Sequence, residues 1–266
     1  MPLITLTTDF GTDDPFVGLM KGAILAIAPG TVVVDLSHSV PPQDILGAGF
    51  VLESALGVFP PGTIHVGVVD PGVGTDRAAI AIRTDDAILV GPDNGLFTAV
   101  LARSPLRTAV RLTDRRFHRP AASATFHGRD IFGPVAAHLA TGVRLEDLGE
   151  PLGQPSLIRL PEPRSEGSAL CAHVVWVDRF GNLITDLGAE ALARWAGYRA
   201  PGGIILTVGS TKIRGLHDTF GDVREGRCVA YLGSLGRLEI AVRNGDAART
   251  LGAARGTVVR LEPSPA

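Results

Sequence analysis

The sequence predicts two domains: an amino-terminal α/β domain with a mostly parallel sheet over residues 1–160, and a smaller all-β, barrel-like domain over residues 161–266. Three observations predict this. Strand-like and helix-like runs alternate through the first half, as they do in a parallel sheet covered on both faces. Residues Pro151 to Gly167, "PLGQPSLIRLPEPRSEG", carry four prolines and no periodic pattern, which marks a connector. Beyond it, short β-type runs follow one another at close spacing between Gly turns.

In order along the chain, "LITLTTDF" is rich in β-branched residues and reads as a strand that ends on Asp9 before Gly11. From Asp13 and Asp14, with Pro15 suited to a first helical turn, Phe16, Val17, Leu19, Met20, Ala23, Ile24 and Ile27 recur at helical spacing until Pro29-Gly30 stops the run. "TVVVDLS" reads as a fully buried strand, "PQDILGAGFVLESAL" as a second helix and "GTIHVGVVD" as a third strand. Strands are expected around Ala79 to Arg83 and Ala87 to Val90, and a helix from near Asp130. In the second half, "ALCAHVVWVDRFGNLITDL", "GIILTVG", "CVAYLGS", "RLEIAVRNG" and "GTVVRLE" are the β-type runs, with short helices near Glu190 and Ala247.

Composition excludes several classes. With 266 residues, 45% hydrophobic and 20% charged, the chain can bury a real core and is not disordered. A net charge of -2, with no dense Lys/Arg track, argues against nucleic acid as a partner. Cys171 and Cys228 form no CxxC and no zinc-type spacing, so neither a disulfide framework nor a structural metal is expected. The amino terminus lacks a signal-peptide pattern and no apolar run reaches the roughly 20 residues that span a bilayer, so a cytoplasmic protein without a membrane partner is expected. Only Lys21 and Lys212 of the 25 basic residues are lysine, which makes a single Arg weak evidence for a site.

In open α/β sheets, ligands sit beyond the carboxyl ends of the strands. Asp9 and Asp70 end the first and third strands, and His127 of "FHGRD" lies in a Gly-containing loop before a helix. Taken singly each has a structural alternative: Asp9 as a turn acceptor or helix cap, Asp70 before Pro71 as a turn former, His127 as a satisfied structural histidine. "VVDPGVGTDR" is unusual in ending an apolar run on an acid and then presenting Arg77. Asp93 and Asn94 of "GPDNGL" are candidates to face the same cleft. "DRFGN" at 178–182 reads either as a hairpin turn in which Asp178 and Asn182 bond their own backbone, or as a purine seat with Phe180 stacked on the base and Asn182 on its edge.

Together, "TTDFGTDDPFVGLMKG", "VVDPGVGTDR", "GPDNGLF", "TFHGRDIF" and "DRFGNLITD" resemble, in order from Thr7 to about Asn244, the S-adenosyl-L-methionine hydroxide adenosyltransferases, relatives of fluorinating and chlorinating enzymes. The resemblance implies hydrolysis of S-adenosyl-L-methionine to adenosine and L-methionine without a cofactor, with Asp70, Arg77 and His127 as the catalytic set. It places Asp9 on the ribose hydroxyls, Asp14 near the methionine end and Asp178 on the methionine ammonium. Phe180 and Phe220 of "HDTFGD" would sandwich the adenine with Asn182 on its edge. Ser234 of "YLGS" and the backbone around Arg243 and Asn244 would complete the pocket. It also implies a homotrimer, each site lying between the amino-terminal domain of one subunit and the carboxy-terminal domain of the next.

The chain departs from the halide-using relatives. It has Gly128 where they carry Ser and Asp70 where they carry Tyr, and it lacks their extra loop after the strand near Ala79, so halide use is not expected. Leu235 stands where they have an Arg after the Ser, which leaves the methionine carboxylate unassigned. A sulfonium departs readily, so no metal or general acid is required. Water is the difficulty, because its pKa of about 15.7 lies roughly twelve units above that of an ordinary Asp. Arg77 and His127 are expected to donate hydrogen bonds to the entering oxygen, oriented by Asp70. The competing readings are a binding module without turnover, a metal-dependent hydrolase using Asp9, Asp70, Asp93 and His127, a structural oligomer whose polar strand ends are incidental, and halide-dependent adenosyl transfer.

Overall fold

The computed structural model describes residues 2–197 and 201–264. The chain divides into two compact units, Met1–Leu160 and Pro161–Ala266. In the first, β1 (Leu3–Thr8), α1 (Phe16–Ile27), β2 (Val32–Ser37), α2 (Ile45–Ser54) and β3 (Thr63–Val68) alternate. They are followed by β4 (Ala79–Thr84), β5 (Ala87–Pro92), α3 (Thr98–Arg103), β6 (Leu106–Arg111), a π-helical turn (Gly128–Phe132) that runs into α4 (Gly133–Ala140), and β7 (Glu150–Pro151).

These strands form one seven-stranded sheet in the order β2-β1-β3-β5-β4-β6-β7. The sheet is mixed, which corrects the expectation of a mostly parallel one. β1/β2, β1/β3 and β3/β5 are parallel, whereas β4/β5, β4/β6 and β6/β7 are antiparallel. The reason is local: only Asp85 and Asp86 separate β4 from β5, and two residues can turn a hairpin but cannot make a crossover. A second correction concerns β2. It was expected to be fully buried, but it is an edge strand, and no residue in it is buried.

Helices cover both faces. Ile64, Val66 and Val68 of β3 pack with Met20 and Ile24 of α1 and Val135 of α4; on the other face, Ile80, Ile82 and Leu89 pack with Leu52 of α2 and Val100 of α3. In α1 the buried positions are Val17, Met20 and Ile24, the spacing of one helical face. The parallel register sets Thr8 of β1 beside Val68 of β3, so both strands release the chain at the same edge. Asp9 and Asp70 therefore leave the sheet close together.

The second unit comprises β8 (Arg164–Glu166), β9 (Ala169–Val177), β10 (Leu183–Gly188), α5 (Ala189–Ala196), β11 (Ile204–Val208), β12 (Thr211–Arg214), β13 (Cys228–Leu232), β14 (Arg237–Val242), α6 (Ala247–Leu251) and β15 (Val258–Pro263). Every ladder is antiparallel, in the order β12-β11-β15-β9-β10-β14-β13 with β8 on β9. A bridge between His217 and Tyr231 links the two edges, so the sheet is nearly a closed barrel around Leu206, Leu238, Ile240 and Leu261. Among the described residues no helix is long and apolar enough to cross a membrane.

His65 of β3 is buried with its Nδ1 2.7 Å from Thr5 Oγ1, and burial lowers its pKa to about 4. Above pH 6.5 the ring is neutral in both the folded and the unfolded chain. Below that, the unfolded chain takes up the proton first, so stability falls between pH 6.5 and about 4. In urea titrations the stability difference between wild type and His65→Asn is expected to be constant above pH 6.5. It should then shrink by about 1 kcal/mol per pH unit on acidification. A difference that does not change with pH would contradict this.

Candidate active site

The turn after β3 explains why an acid and an arginine share one short stretch. Val73 N bonds Asp70 O at 3.1 Å and Thr75 N bonds Gly72 O at 3.1 Å, which folds the chain back so that Arg77 meets Asp70. Gly74 is required within it: its φ is +79°, and a Cβ there would lie 2.8 Å from the carbonyl oxygen of Ala124. That close approach brings the turn against the segment leading to His127.

Arg77 joins the other two. Its Nε donates to both Asp70 carboxylate oxygens at 2.9 and 3.0 Å, and its Nη2 lies 2.6 Å from His127 Nδ1. The Asp70 and Arg77 side chains are only 5% and 9% exposed, and the guanidinium rests over the Phe132 ring at 5.4 Å. A guanidinium has donors and no acceptor, so His127 Nδ1 must be the acceptor and the ring must be neutral with its proton on Nε2. Its pKa agrees: burial lowers it and Arg77 lowers it further, against the opposing pull of Asp70 and Asp130.

His127 owes its placement to Asp130, a residue whose sequence context marks only a helix start. The Asp130 carboxylate is wholly buried. It accepts from Arg129 Nε at 2.7 Å and Nη2 at 2.8 Å, from Ser123 N at 2.8 Å and from Arg119 Nη1 at 3.3 Å. Burial pushes its pKa up, but the hydrogen bonds from Arg129 and Ser123 prevail, so the net shift is downward. This fixes the loop between residues 119 and 127.

A cleft of about 770 Å³ lies over this edge of the sheet, lined among others by Asp9, Phe10, Phe16, Gln43, Asp70 and His127. Arg77 is not among its lining residues. Asp9 neither caps α1 nor bonds the "GTDD" backbone; its Oδ2 accepts from Gln43 N at 2.8 Å. Gln43 has φ of +66°, a strained conformation for a non-Gly residue, and it sits in the cleft wall. Phe10, Phe16 and Phe126 form an edge-to-face trio with centroids 5.3 to 6.0 Å apart. The sequence reading missed Gln43 and this trio, although two of the rings directly follow Asp9 or precede His127.

Other candidates lie elsewhere. Asp14 is exposed in the bend before α1 and does not line the cleft. Asn94 braces the end of β3 by donating to Val69 O at 2.9 Å, and Asp93 accepts from Ser156 N at 2.6 Å; neither faces the cleft. Among the described residues no group of three or more His, Cys, Asp or Glu side chains is placed to hold a metal ion, so Asp9, Asp70, Asp93 and His127 do not converge as a ligand set.

In the second unit, Asp178 forms the hairpin turn that was one of its two readings. It accepts from Phe180 N, Asn182 N and Asn182 Nδ2, each at 2.8 Å. The same turn holds the Phe180 ring 75% exposed, while Asn182 is buried with its Nδ2 committed to Asp178. Phe220 is 42% exposed on a turn closed by a capping box between Thr219 and Asp222. Its ring meets Tyr231 at 4.8 Å, and Tyr231 Oη donates to Glu239 at 2.8 Å. Burial raises the Glu239 pKa, with Asp178 adding to the rise against the hydrogen bond from Tyr231. Glu239 packs against Gly233, beside the exposed Ser234, and Asn244 turns the chain after β14 with φ of +56°. Tyr231 and Glu239, which the sequence places only within β-type runs, connect Phe220 to the Gly233–Ser234 turn.

The N- and C-terminal domain models of the SAM hydroxide adenosyltransferases match residues 4–149 and 172–260. The chain is 45% identical to the (R)-S-adenosyl-L-methionine hydrolase of Thermus thermophilus, over 96% of this chain and 97% of that one. It is 42% identical to the hydrolase of the same name from Salinispora tropica, over 98% and 97%. A fluorinase of Actinoplanes sp. is similar at 28% identity, with 90% of each chain covered. An uncharacterized conserved protein from Thermotoga maritima superposes with a TM-score of 0.92 at 34% identity, covering 98% of this chain and 99% of that one.

Arg77→Ala removes the charge and the donor that depress His127, and leaves Asp70 and Asp130 to raise it. The His127 pKa is expected to move upward in a nitrogen-15 NMR titration. An unchanged titration would show that the Arg77–His127 contact carries no weight.

Proposed function

Because the chain belongs to the SAM hydroxide adenosyltransferase family, we infer that it hydrolyses S-adenosyl-L-methionine to adenosine and L-methionine by attack of water at the ribose C5′ carbon. The hydrogen-bonded set of Asp70, Arg77 and His127 at the edge of a cleft carries this reading.

The set suits a reaction whose nucleophile is poor and whose leaving group is good. With Nδ1 engaged by Arg77, His127 offers its Nε2–H to the water oxygen. Asp70 has lone pairs beyond those Arg77 uses, and one of them accepts a water proton. The carboxylate is too weak a base to hold a free hydroxide, so proton loss must accompany formation of the C5′–O bond, and the thioether leaves as a neutral group. Hydroxide-like oxygen meeting a sulfonium cancels charge, which a partly dry cleft favours over hydrated ions. Arg77, bonded to both Asp70 and His127, holds them in place and offsets the carboxylate charge. Its remaining N–H donors keep direct donation to the entering oxygen within this proposal.

The remaining contacts belong to the same proposal: Asp9 to the ribose hydroxyls, Asp14 near the methionine end, Asp178 to the ammonium, Phe180 and Phe220 on the adenine faces, Asn182 at its edge, and Ser234 and Asn244 at the pocket wall. We propose turnover without a metal or other cofactor, in the cytoplasm, by a homotrimer with sites shared between subunits. The lower identity to a fluorinase than to the hydrolases favours water over halide as nucleophile.

Purified protein in oxygen-18 water is expected to release methionine and adenosine labelled at the 5′ oxygen. Retention of intact substrate would make it a binding module, and 5′-halogenated adenosine in halide buffer would overturn the choice of nucleophile. Asp70→Asn and His127→Ala should each lower kcat by roughly 10²-fold or more with KM within a few-fold; loss confined to KM would contradict their roles. A chelator should leave turnover unchanged, and sedimentation should give a particle of three 27.7 kDa chains.

The pH profile follows from the His127 shift. The neutral ring is required and its pKa is held below the ordinary histidine value by burial and Arg77, so the midpoint of the acid limb of kcat/KM should lie below pH 6.5. An acid limb centred at or above pH 6.5 would contradict the assignment.

A further inference from the structure

A second chain of polar side chains lies beside the cleft without entering it. Lys21 Nζ donates to Asp35 Oδ2 at 2.6 Å, and His38 Nε2 lies 2.9 Å from Asp35 Oδ1, close but poorly aligned for a hydrogen bond. On the other side of the ring, His38 Nδ1 is 2.8 Å from Thr8 Oγ1. With the carboxylate beside Nε2, that nitrogen best carries the proton. Nδ1 then accepts from the Thr8 hydroxyl.

The order Thr–His–Asp repeats the connectivity of a hydrolase triad, but Thr8 is wholly buried, so no substrate atom can reach its hydroxyl. The network acts on the backbone instead. Thr8 Oγ1 also accepts from Phe10 N at 3.2 Å, and the His38 carbonyl oxygen accepts from Gly11 N at 2.8 Å. Asp9 is tied to Gln43 N, five residues beyond His38. The turn from Thr8 to Gly11 is thus clamped by the segment from His38 to Gln43. Asp9 and Phe10, the two residues between the clamps, line the cleft.

We propose that His38, acting through Thr8, is a positioning residue that sets affinity for the ribose of the adenosyl group by fixing the turn that presents Asp9. A buried hydroxyl held from two sides leaves the turn one geometry. Without it, the Phe10 N–H loses its acceptor and Asp9 samples several orientations. Chemistry at C5′ lies on other residues, so binding should suffer and the chemical step should not. This inference rests on the reading of Asp9 as the ribose contact.

The test compares adenosine with 2′,3′-dideoxyadenosine by calorimetry, and KM with kcat for S-adenosyl-L-methionine, in Thr8→Val, His38→Leu, His38→Asn and Asp9→Asn. Thr8→Val and His38→Leu should weaken adenosine binding and raise KM about tenfold, leave dideoxyadenosine binding within twofold, and keep kcat within threefold. His38→Asn, which retains a polar group near the Nδ1 position, should stay close to wild type. If Thr8→Val fails to fold, His38→Leu reads the same quantity.

Asp9→Asn losing the preference for ribose hydroxyls while Thr8→Val and His38→Leu retain it would overturn this inference alone. A wild type with no such preference, or an Asp9→Asn that keeps it, would overturn the ribose assignment. A fall in kcat with KM unchanged in the Thr8 or His38 variants would also sink the positioning role.

Discussion

The guanidinium of Arg77 is shared between a carboxylate and an imidazole, and the rest of the site depends on that sharing. Two charged side chains exposed by less than a tenth are costly to desolvate, and a buried ion pair repays that cost only when its geometry is good and its remaining polar atoms are satisfied. Here Nε spans both Asp70 oxygens while Nη2 reaches His127, so one planar cation sets the angle between an acceptor and a donor. A lysine would bring a point charge on a flexible stem, without the rigid planar fork that fixes the two groups relative to one another. It also fixes the tautomer, and with it the face of the ring that can donate.

The sheet supplies the edge on which this happens. Parallel pairing of β1 with β3 makes Asp9 and Asp70 leave adjacent strands together. The β4/β5 hairpin makes the sheet mixed but does not disturb that edge, because β5 still runs parallel to β3. Burial of Thr8, Val68 and Val69 leaves the strand ends little freedom, so the turns that follow start from fixed positions. The Asp130 cluster anchors the His127 loop, and the His38–Thr8 pair anchors the Asp9 turn. Asp9, Asp70 and His127 are therefore each backed by polar groups outside the cleft lining: the His38–Thr8 pair, Arg77 and Asp130.

Water as the nucleophile rests on the hydrolase relatives; under the proposed roles of Asp70 and His127, an oxygen between a carboxylate acceptor and an imidazole donor is polarised for attack on a carbon bearing a sulfonium. In the second unit, the same turn atoms that close "DRFGN" also leave the Phe180 ring exposed.

Much of the first unit was legible from sequence because its signals are local. Helical spacing marked α1 and α2, β-branched runs marked β1 and β3, and turn residues marked the connector and the β-rich second half. The set Asp70, Arg77 and His127 was legible only through the family's motifs, since no spacing rule relates residue 70 to residue 127. What tertiary structure alone decided was strand direction, edge position and contact across distant segments. β2 has the composition of a buried strand, but its place at the sheet edge follows from strand order. Gly74 beside Ala124, Arg77 on His127, and His38 on Thr8 all join segments that come together only when the chain folds. Composition and periodicity report a residue's own preferences; which partner it meets is set by packing.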